Sequence, residues 1–126
     1  MNVGLWVLQV LLAVAFFAHG WLFLFPPADM VELMNASIAP AFRLFLGVAE
    51  VLAAVGLTLP GLTRISPWLI PWAAAGLMVV MIGATVFHIM RGEVGSAIIT
   101  AILLVMATFV AYMRWKVKPI PARTAA

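Results

Sequence analysis

Four long runs of hydrophobic residues, separated by short polar or proline-containing stretches, make up most of the chain. The runs cover about residues 3–25, 41–59, 68–90 and 94–115. An α-helix rises about 1.5 Å per residue, so helices of this length cross the roughly 30 Å hydrocarbon layer of a bilayer. The pattern therefore predicts an all-α fold, an integral membrane four-helix bundle that forms a single transmembrane domain over residues 1–126.

Prolines and one polar stretch divide these runs. Pro26 and Pro27 end the first run, and Pro40 and Pro60 bound the second, because proline cannot continue a helix without the loss of a hydrogen bond. Between them, residues 28–40 mix polar and apolar side chains, which predicts a segment lying in the membrane interface. We expect the second helix to stop just before Pro60.

Composition and charge support a membrane environment. Hydrophobic residues are 67% of the chain and charged residues 9%, against roughly 45–50% and about 25% in soluble domains. The absence of cysteine excludes disulfides and thiolate metal sites. Residues 116–126 carry much of the positive charge directly after the last run, which predicts a basic cytoplasmic tail attracted to anionic lipid, not to nucleic acid.

The basic residues also predict an orientation. Four crossings bring both termini to one side, which carries Arg64, Arg114, Lys116, Lys118 and Arg123. The opposite side carries two arginines together with three carboxylates, namely Arg43, Arg91, Asp29, Glu32 and Glu93. The positive-inside rule therefore predicts a multi-pass protein of the cell membrane with both termini in the cytoplasm.

Six polar side chains inside or near the ends of the runs are the candidate functional residues. Ionisable groups in lipid are costly when unpaired, so they commonly mark functional sites. The predicted topology puts all six in the outer half of the bundle, where they define one polar pocket. We predict Glu50 and His88 as catalytic residues and His19, Arg43, Ser96 and Thr100 as ligand-binding residues.

Glu50 is the most informative of these residues. Its neighbours one turn away include Gly47, Ala53 and Ala54, and such small residues are typical of close helix contacts. Glu50 is therefore expected to face the interior, either protonated as an acid/base group or paired with Arg43 or a histidine. The alternative is a structural clamp that fixes the register of two helices. We expect no metal site, because the histidines lack ligand spacing.

Small residues on the third run predict another helix contact. Gly76 and Gly83, together with Ala73 and Ala84, are expected to lie against a neighbouring helix.

The motifs of the second and third runs resemble the DoxX-like family. The resemblance rests on GVAEVLAAVGLTLP at residues 47–60, PWLIP at residues 67–71, and GATVFH at residues 83–88 followed by Arg91-Gly92-Glu93. It implies that Glu50 and His88 are characteristic intramembrane polar positions. In the first run, His19-Gly20-Trp21 lacks the lysine that many relatives have after the glycine.

The resemblance also implies a link to redox chemistry. The family takes its name from a small membrane subunit of a thiosulfate:quinone oxidoreductase, and other relatives are linked to membrane redox or thiol-stress complexes. One hypothesis is a redox-associated subunit that binds a quinone or similar lipophilic molecule, with Glu50 exchanging a proton and His88 and His19 bonding a carbonyl oxygen. Electrons would then come from a soluble or membrane partner of an oxidoreductase complex.

The alternative hypothesis is a non-enzymatic membrane assembly or lipid-binding module with Glu50 as the structural clamp. Either protein would have the lipid bilayer as a partner and could form a homo-oligomer.

Overall fold

Four long helices form the protein, which confirms the predicted all-α membrane bundle. The computed structural model describes residues 2–124, so residues 125 and 126 of the predicted tail lie outside the described residues, as does residue 1. The helices are α1 (Asn2–Leu24), the short α2 (Val31–Ser37), α3 (Pro40–Thr63), α4 (Leu69–Met90) and α5 (Val94–Tyr112), and α5 continues into a π-helical turn (Met113–Val117). The four long helices are each long and apolar enough to cross a bilayer.

The helices pack as two pairs joined through α3 and α4. α1 lies against α3, α4 lies against α5, and α1 also contacts α5. The shared core consists of aliphatic and aromatic side chains that include Leu12, Phe16, Leu57, Leu77 and Val110. Large apolar side chains also cover the outside, as lipid contact requires, among them Val14, Phe45, Val79, Ile102 and Val105.

Glycines allow two close helix crossings. A Cβ added to Gly20 of α1 would come within 2.9 Å of the Gly47 carbonyl oxygen of α3. A Cβ on Gly56 of α3 would come within 2.9 Å of the Ala73 Cβ of α4. Because real Cβ atoms essentially never approach so closely, these glycines set the spacing of α1, α3 and α4.

The predicted contact at Gly76 and Gly83 is wrong within this chain. Both glycines are exposed, and a Cβ added to either would meet no atom within 4 Å. The reason is the register of α4, whose buried face is formed by Ile70, Ala74 and Leu77. Gly76 and Gly83, seven residues apart, lie together on the outward face.

α3 continues past the proline that was expected to end it. Pro60 is buried in the last turn, and the helix runs on to Thr63, whose hydroxyl donates to the Leu59 carbonyl at 2.9 Å. A proline so close to the end costs one intrahelical bond and does not stop the remaining turn. The helix ends at Arg64, which has left-handed backbone angles (φ 58°, ψ 23°).

The bundle has two chemically different ends. At the terminal end, where α1 begins, Arg64 and Arg114 bind backbone and side-chain oxygens of residues 2, 118, 121 and 122. At the distal end, Asp29 lies in the turn before α2, Glu32 in α2 and Glu93 in the α4–α5 turn, and Arg43 and Arg91 lie at the same end. Asp29, Glu32 and Glu93 are therefore confined to the distal end, whereas basic residues occur at both ends.

Candidate functional site

A histidine and a buried glutamate form a hydrogen-bonded pair between α1 and α3. His19 Nδ1 lies 2.8 Å from Glu50 Oε2. The Glu50 side chain is 2% exposed, whereas the His19 side chain is 50% exposed. Glu50 therefore faces the interior, as its small neighbours predict, and its partner is a histidine at the bundle surface.

The close approach of two backbones positions this pair. Gly20 follows His19 on α1, and a Cβ at that position would also come within 3.1 Å of the Glu50 Cβ. The imidazole ring of His19 packs on Phe23, one turn further along α1, with 4.4 Å between the ring centroids. Helix spacing and the contact with the Phe23 ring together hold His19 Nδ1 at the carboxylate.

The pair combines proton-transfer chemistry with access from the outer surface of α1 and α3. Imidazole can donate or accept a proton in the physiological range, and a hydrogen-bonded carboxylate fixes which ring nitrogen carries it. With Nδ1 bonded to Glu50, half of the His19 side chain remains exposed at that surface. A lipophilic molecule can thus reach the ring while Glu50 stays covered.

Arg43 has a different partner from Glu50. Its side chain is buried, and one terminal nitrogen donates to the carbonyl oxygen of Phe23. That carbonyl lies in the last turn of α1, where the helix leaves acceptors without intrahelical donors. Arg43 Nε has no hydrogen-bond partner among residues 2–124. Arg43 therefore joins the end of α1 to the start of α3.

His88 belongs to a second cluster at the α4–α5 turn. His88 Nδ1 lies 2.9 Å from Glu93 Oε1, and Arg91 Nε donates to the same oxygen at 3.3 Å. Gly92 makes the turn possible through its positive φ of 72°. The hydrogen bond with His88 is the main reason that the pKa of Glu93 lies below its ordinary value, and the charge of Arg91 lowers it further.

The two hydroxyl candidates lie on α5. Thr100 donates to the Ala97 carbonyl at 3.0 Å, and its oxygen accepts from the Thr85 hydroxyl of α4 at 2.9 Å. Ser96 is exposed on the same helix. Of the six candidate residues, only His19 and Glu50 bond to each other. Arg43 bonds to the α1 backbone, His88 to the α4–α5 turn and Thr100 across the α4–α5 interface.

A buried polar network at the terminal end was missed by sequence reasoning. Arg114, 3% exposed, donates from Nε to Gln9 Oε1 at 2.6 Å and from one terminal nitrogen to Asn2 Oδ1 at 2.7 Å. Gln9 is fully buried, and its amide donates to the Leu57 carbonyl at 2.6 Å. The available signal was Gln9 itself, an isolated amide inside a hydrophobic run, which needs an internal partner.

The last described residues fold back over this end of the bundle. Arg64 Nε donates to the Pro121 carbonyl at 3.0 Å, and the Arg123 amide donates to the Arg64 carbonyl at 2.7 Å. Ile120 lies close to Gly61, where an added Cβ would come within 3.0 Å of its Cδ1. The residues after the π-turn thus pack on the end of α3.

The fold and the His19–Glu50 pair within the bundle define a small four-helix integral membrane protein. The family model of the DoxX-like family matches residues 7–110, and the chain belongs to this family. The matched range contains His19, Glu50 and His88 and stops before Arg114. No curated protein and no solved structure matches the chain.

Proposed function

We propose that this DoxX-like protein is the membrane subunit of a redox complex and binds a quinone, or a similar lipophilic molecule, at the His19–Glu50 pair. The observation that carries the proposal is the half-exposed imidazole of His19 backed by the buried carboxylate of Glu50. A quinone dissolves in the hydrocarbon layer and meets the α1–α3 surface from the side, without a channel through the bundle.

The proposed chemistry assigns a role to each member of the pair. The quinone carbonyl oxygen accepts a hydrogen bond from the free ring nitrogen of His19. Reduction to the quinol takes up two electrons and two protons; a partner redox protein supplies the electrons. One proton passes from the ring of His19 to the carbonyl oxygen, and Glu50, protonated before the step and hydrogen-bonded to Nδ1 at 2.8 Å, returns a proton to the ring. Water at the membrane surface supplies the second proton to the other carbonyl oxygen and afterwards restores the proton of Glu50. His88, bound to Glu93 at the distal end, has no part in this step.

We further propose that the terminal end lies in the cytoplasm and that the protein is in the cell membrane. The basic residues Arg64, Arg114 and Lys118 at that end support this orientation. A fluorescent protein fused after residue 126 should then fluoresce, and alkaline phosphatase fused at the same position should be inactive. The reverse pattern would overturn the orientation and put the His19–Glu50 pair in the inner half.

Quinone binding to the purified protein tests the proposed site. A short-chain benzoquinone is titrated into protein in nanodiscs, and its dissociation constant is measured by tryptophan quenching. His19→Gln should weaken binding by up to about tenfold, the value of one hydrogen bond. Glu50→Gln, which keeps a hydrogen-bonding group of similar shape but cannot exchange a proton with His19, should also weaken binding. His88→Gln is the control and should bind as the native protein does.

One observation favours the second candidate, a non-enzymatic assembly or lipid-binding module. The His19–Glu50 pair lies directly beside the Gly20–Gly47 crossing, where a structural clamp would fix the register of α1 and α3. In that case Glu50→Gln lowers the thermal stability while quinone affinity stays that of the native protein. This result would reject the redox proposal.

A further inference from the structure

The terminal end concentrates positive charge without carboxylates. Arg64, Arg114 and Lys118 lie there, linked by hydrogen bonds through the backbone of residues 118–122. The four carboxylate side chains of the chain lie in α2, α3 and the turns of the distal end, namely Asp29, Glu32, Glu50 and Glu93. Among residues 2–124, no carboxylate pairs with a cation of the terminal end.

Arg114 is a buried cation with neutral partners only. Its three hydrogen bonds end on the amide oxygens of Gln9 and Asn2 and on the Lys118 carbonyl. Its second terminal nitrogen is buried and has no partner among the described residues. The ring of Trp6, 5.7 Å from the guanidinium carbon, adds a cation–π contact but no charge. A buried charge in such surroundings is stabilised by a counter-ion.

Two cavities flank this cation. One, of about 290 Å³, is lined by side chains that include Trp6, Arg64 and Lys118. The other, of about 260 Å³, is lined by Arg114 itself together with Trp68, Trp115 and three prolines. Pro119 and Ile120 line both cavities, so the chain after the π-turn forms a common wall. Cations and tryptophans together match a molecule with an anionic group and an apolar body.

We propose that the terminal end is a binding site for the phosphate group of an anionic phospholipid. Arg114 is the buried cation of the site, Arg64 and Lys118 lie at its rim, and the tryptophans pack on the glycerol and upper acyl chains. The lipid source follows from position, because the cavities lie where membrane-spanning helices end and where indole rings meet headgroups. This site is separate from the His19–Glu50 pair and does not depend on the proposed redox function.

Lipid titration tests the proposal. The protein in a neutral, non-ionic detergent is titrated with short-chain phosphatidylglycerol, with the matching phosphatidylcholine, or with inorganic phosphate, and the melting temperature and lipid retention in native mass spectra are recorded. Phosphatidylglycerol should raise the melting temperature and stay bound, and phosphatidylcholine should do neither. An equal effect of inorganic phosphate would overturn the lipid assignment and leave a site for free phosphate.

Variants locate the binding. The double variant Arg64→Gln/Lys118→Gln changes exposed side chains and should bind phosphatidylglycerol roughly 25-fold more weakly, since each of the two cations near a headgroup contributes about fivefold. Arg91→Gln at the distal end is the matched control and should bind normally. Arg114→Gln should lose retention of the lipid; if it fails to fold, the double variant decides. Equal lipid affinity in the double variant and Arg91→Gln would overturn the proposal.

Discussion

The close crossing of α1 and α3 gives the sharpest test of this structure, because one methyl group should disturb it. In Gly20→Ala, the new Cβ would lie 2.9 Å from the Gly47 carbonyl oxygen, 2.9 Å from the Val51 Cγ2 and 3.1 Å from the Glu50 Cβ. The carbonyl is backbone and can retreat only if α3 moves. The substitution should therefore push α1 and α3 apart at the His19–Glu50 pair.

The magnitude follows from two opposing terms. Forcing a methyl group into a packed interface costs about 1–3 kcal/mol. Alanine in place of a helical glycine returns roughly 0.5–1 kcal/mol of backbone entropy. The net loss for Gly20→Ala is therefore about 0–2.5 kcal/mol in the free energy of unfolding. Gly83→Ala is the matched control, because its Cβ meets no atom within 4 Å and only the favourable entropy remains.

Reversible unfolding by titration with dodecyl sulfate, followed by circular dichroism, measures both variants. The entropy term cancels in their difference, so Gly20→Ala should be less stable than Gly83→Ala by about 1–3 kcal/mol, the packing term alone. If the two variants unfold at the same dodecyl sulfate fraction, then α1 and α3 do not cross at Gly20 and Gly47. That result would also remove the argument that this crossing positions His19 against Glu50.

Two further predictions concern the two ends of the bundle. Gln9→Leu removes the acceptor of Arg114 Nε and so leaves a buried charged donor unpaired. The free energy of unfolding should fall by roughly 2–3 kcal/mol. Native stability of this variant in the same dodecyl sulfate titration would contradict the prediction. At the distal end, the pKa of Glu93 is lower in the folded protein than the ordinary carboxyl value of 4.5. The contact of Glu93 with His88 therefore stabilises the fold at pH values above 4.5, and this stabilisation is lost as the pH falls through the lowered pKa. Melting temperatures from pH 7 to pH 3 should thus converge for the native protein and Glu93→Gln, and Glu32→Gln should show no such convergence.

The sequence alone predicted the features that depend on segment length and on a lipid surrounding. Hydrophobic runs long enough for the bilayer identified four helices, and the small residues beside Glu50 indicated its burial. The proline rule misplaced the end of α3, because the penalty at Pro60 falls in the last turn, where three more residues can still complete the helix. Whether a helix ends at a proline therefore depends on how many intrahelical hydrogen bonds the proline removes at that position.

Partners that lie far apart in the chain were beyond sequence reasoning. Arg114 was counted only among the basic residues that set the predicted orientation, yet it is buried against Gln9, 105 residues away. The π-turn at Met113–Val117 contributes to this outcome, since its wider winding changes the direction of side chains relative to a continuing α-helix. His88 was assigned to the pocket of Glu50 by its depth and by the family resemblance, whereas its partner in the structure, Glu93, lies five residues further on in the α4–α5 turn.

The buried polar side chains differ in the kind of group to which they are hydrogen-bonded. Arg43 and Arg114 are both buried, and their hydrogen bonds go to backbone carbonyls or amide side chains that join one helix to another. Glu50 is as buried as they are, but its partner is a titratable ring of which half faces outward. A clamp requires only that Glu50 be satisfied, and a buried amide would serve as well as an exposed imidazole. An exposed, proton-exchanging partner is what the proposed site for a lipid-soluble oxidant requires, and this difference supports the proposal that the site lies at His19 and Glu50.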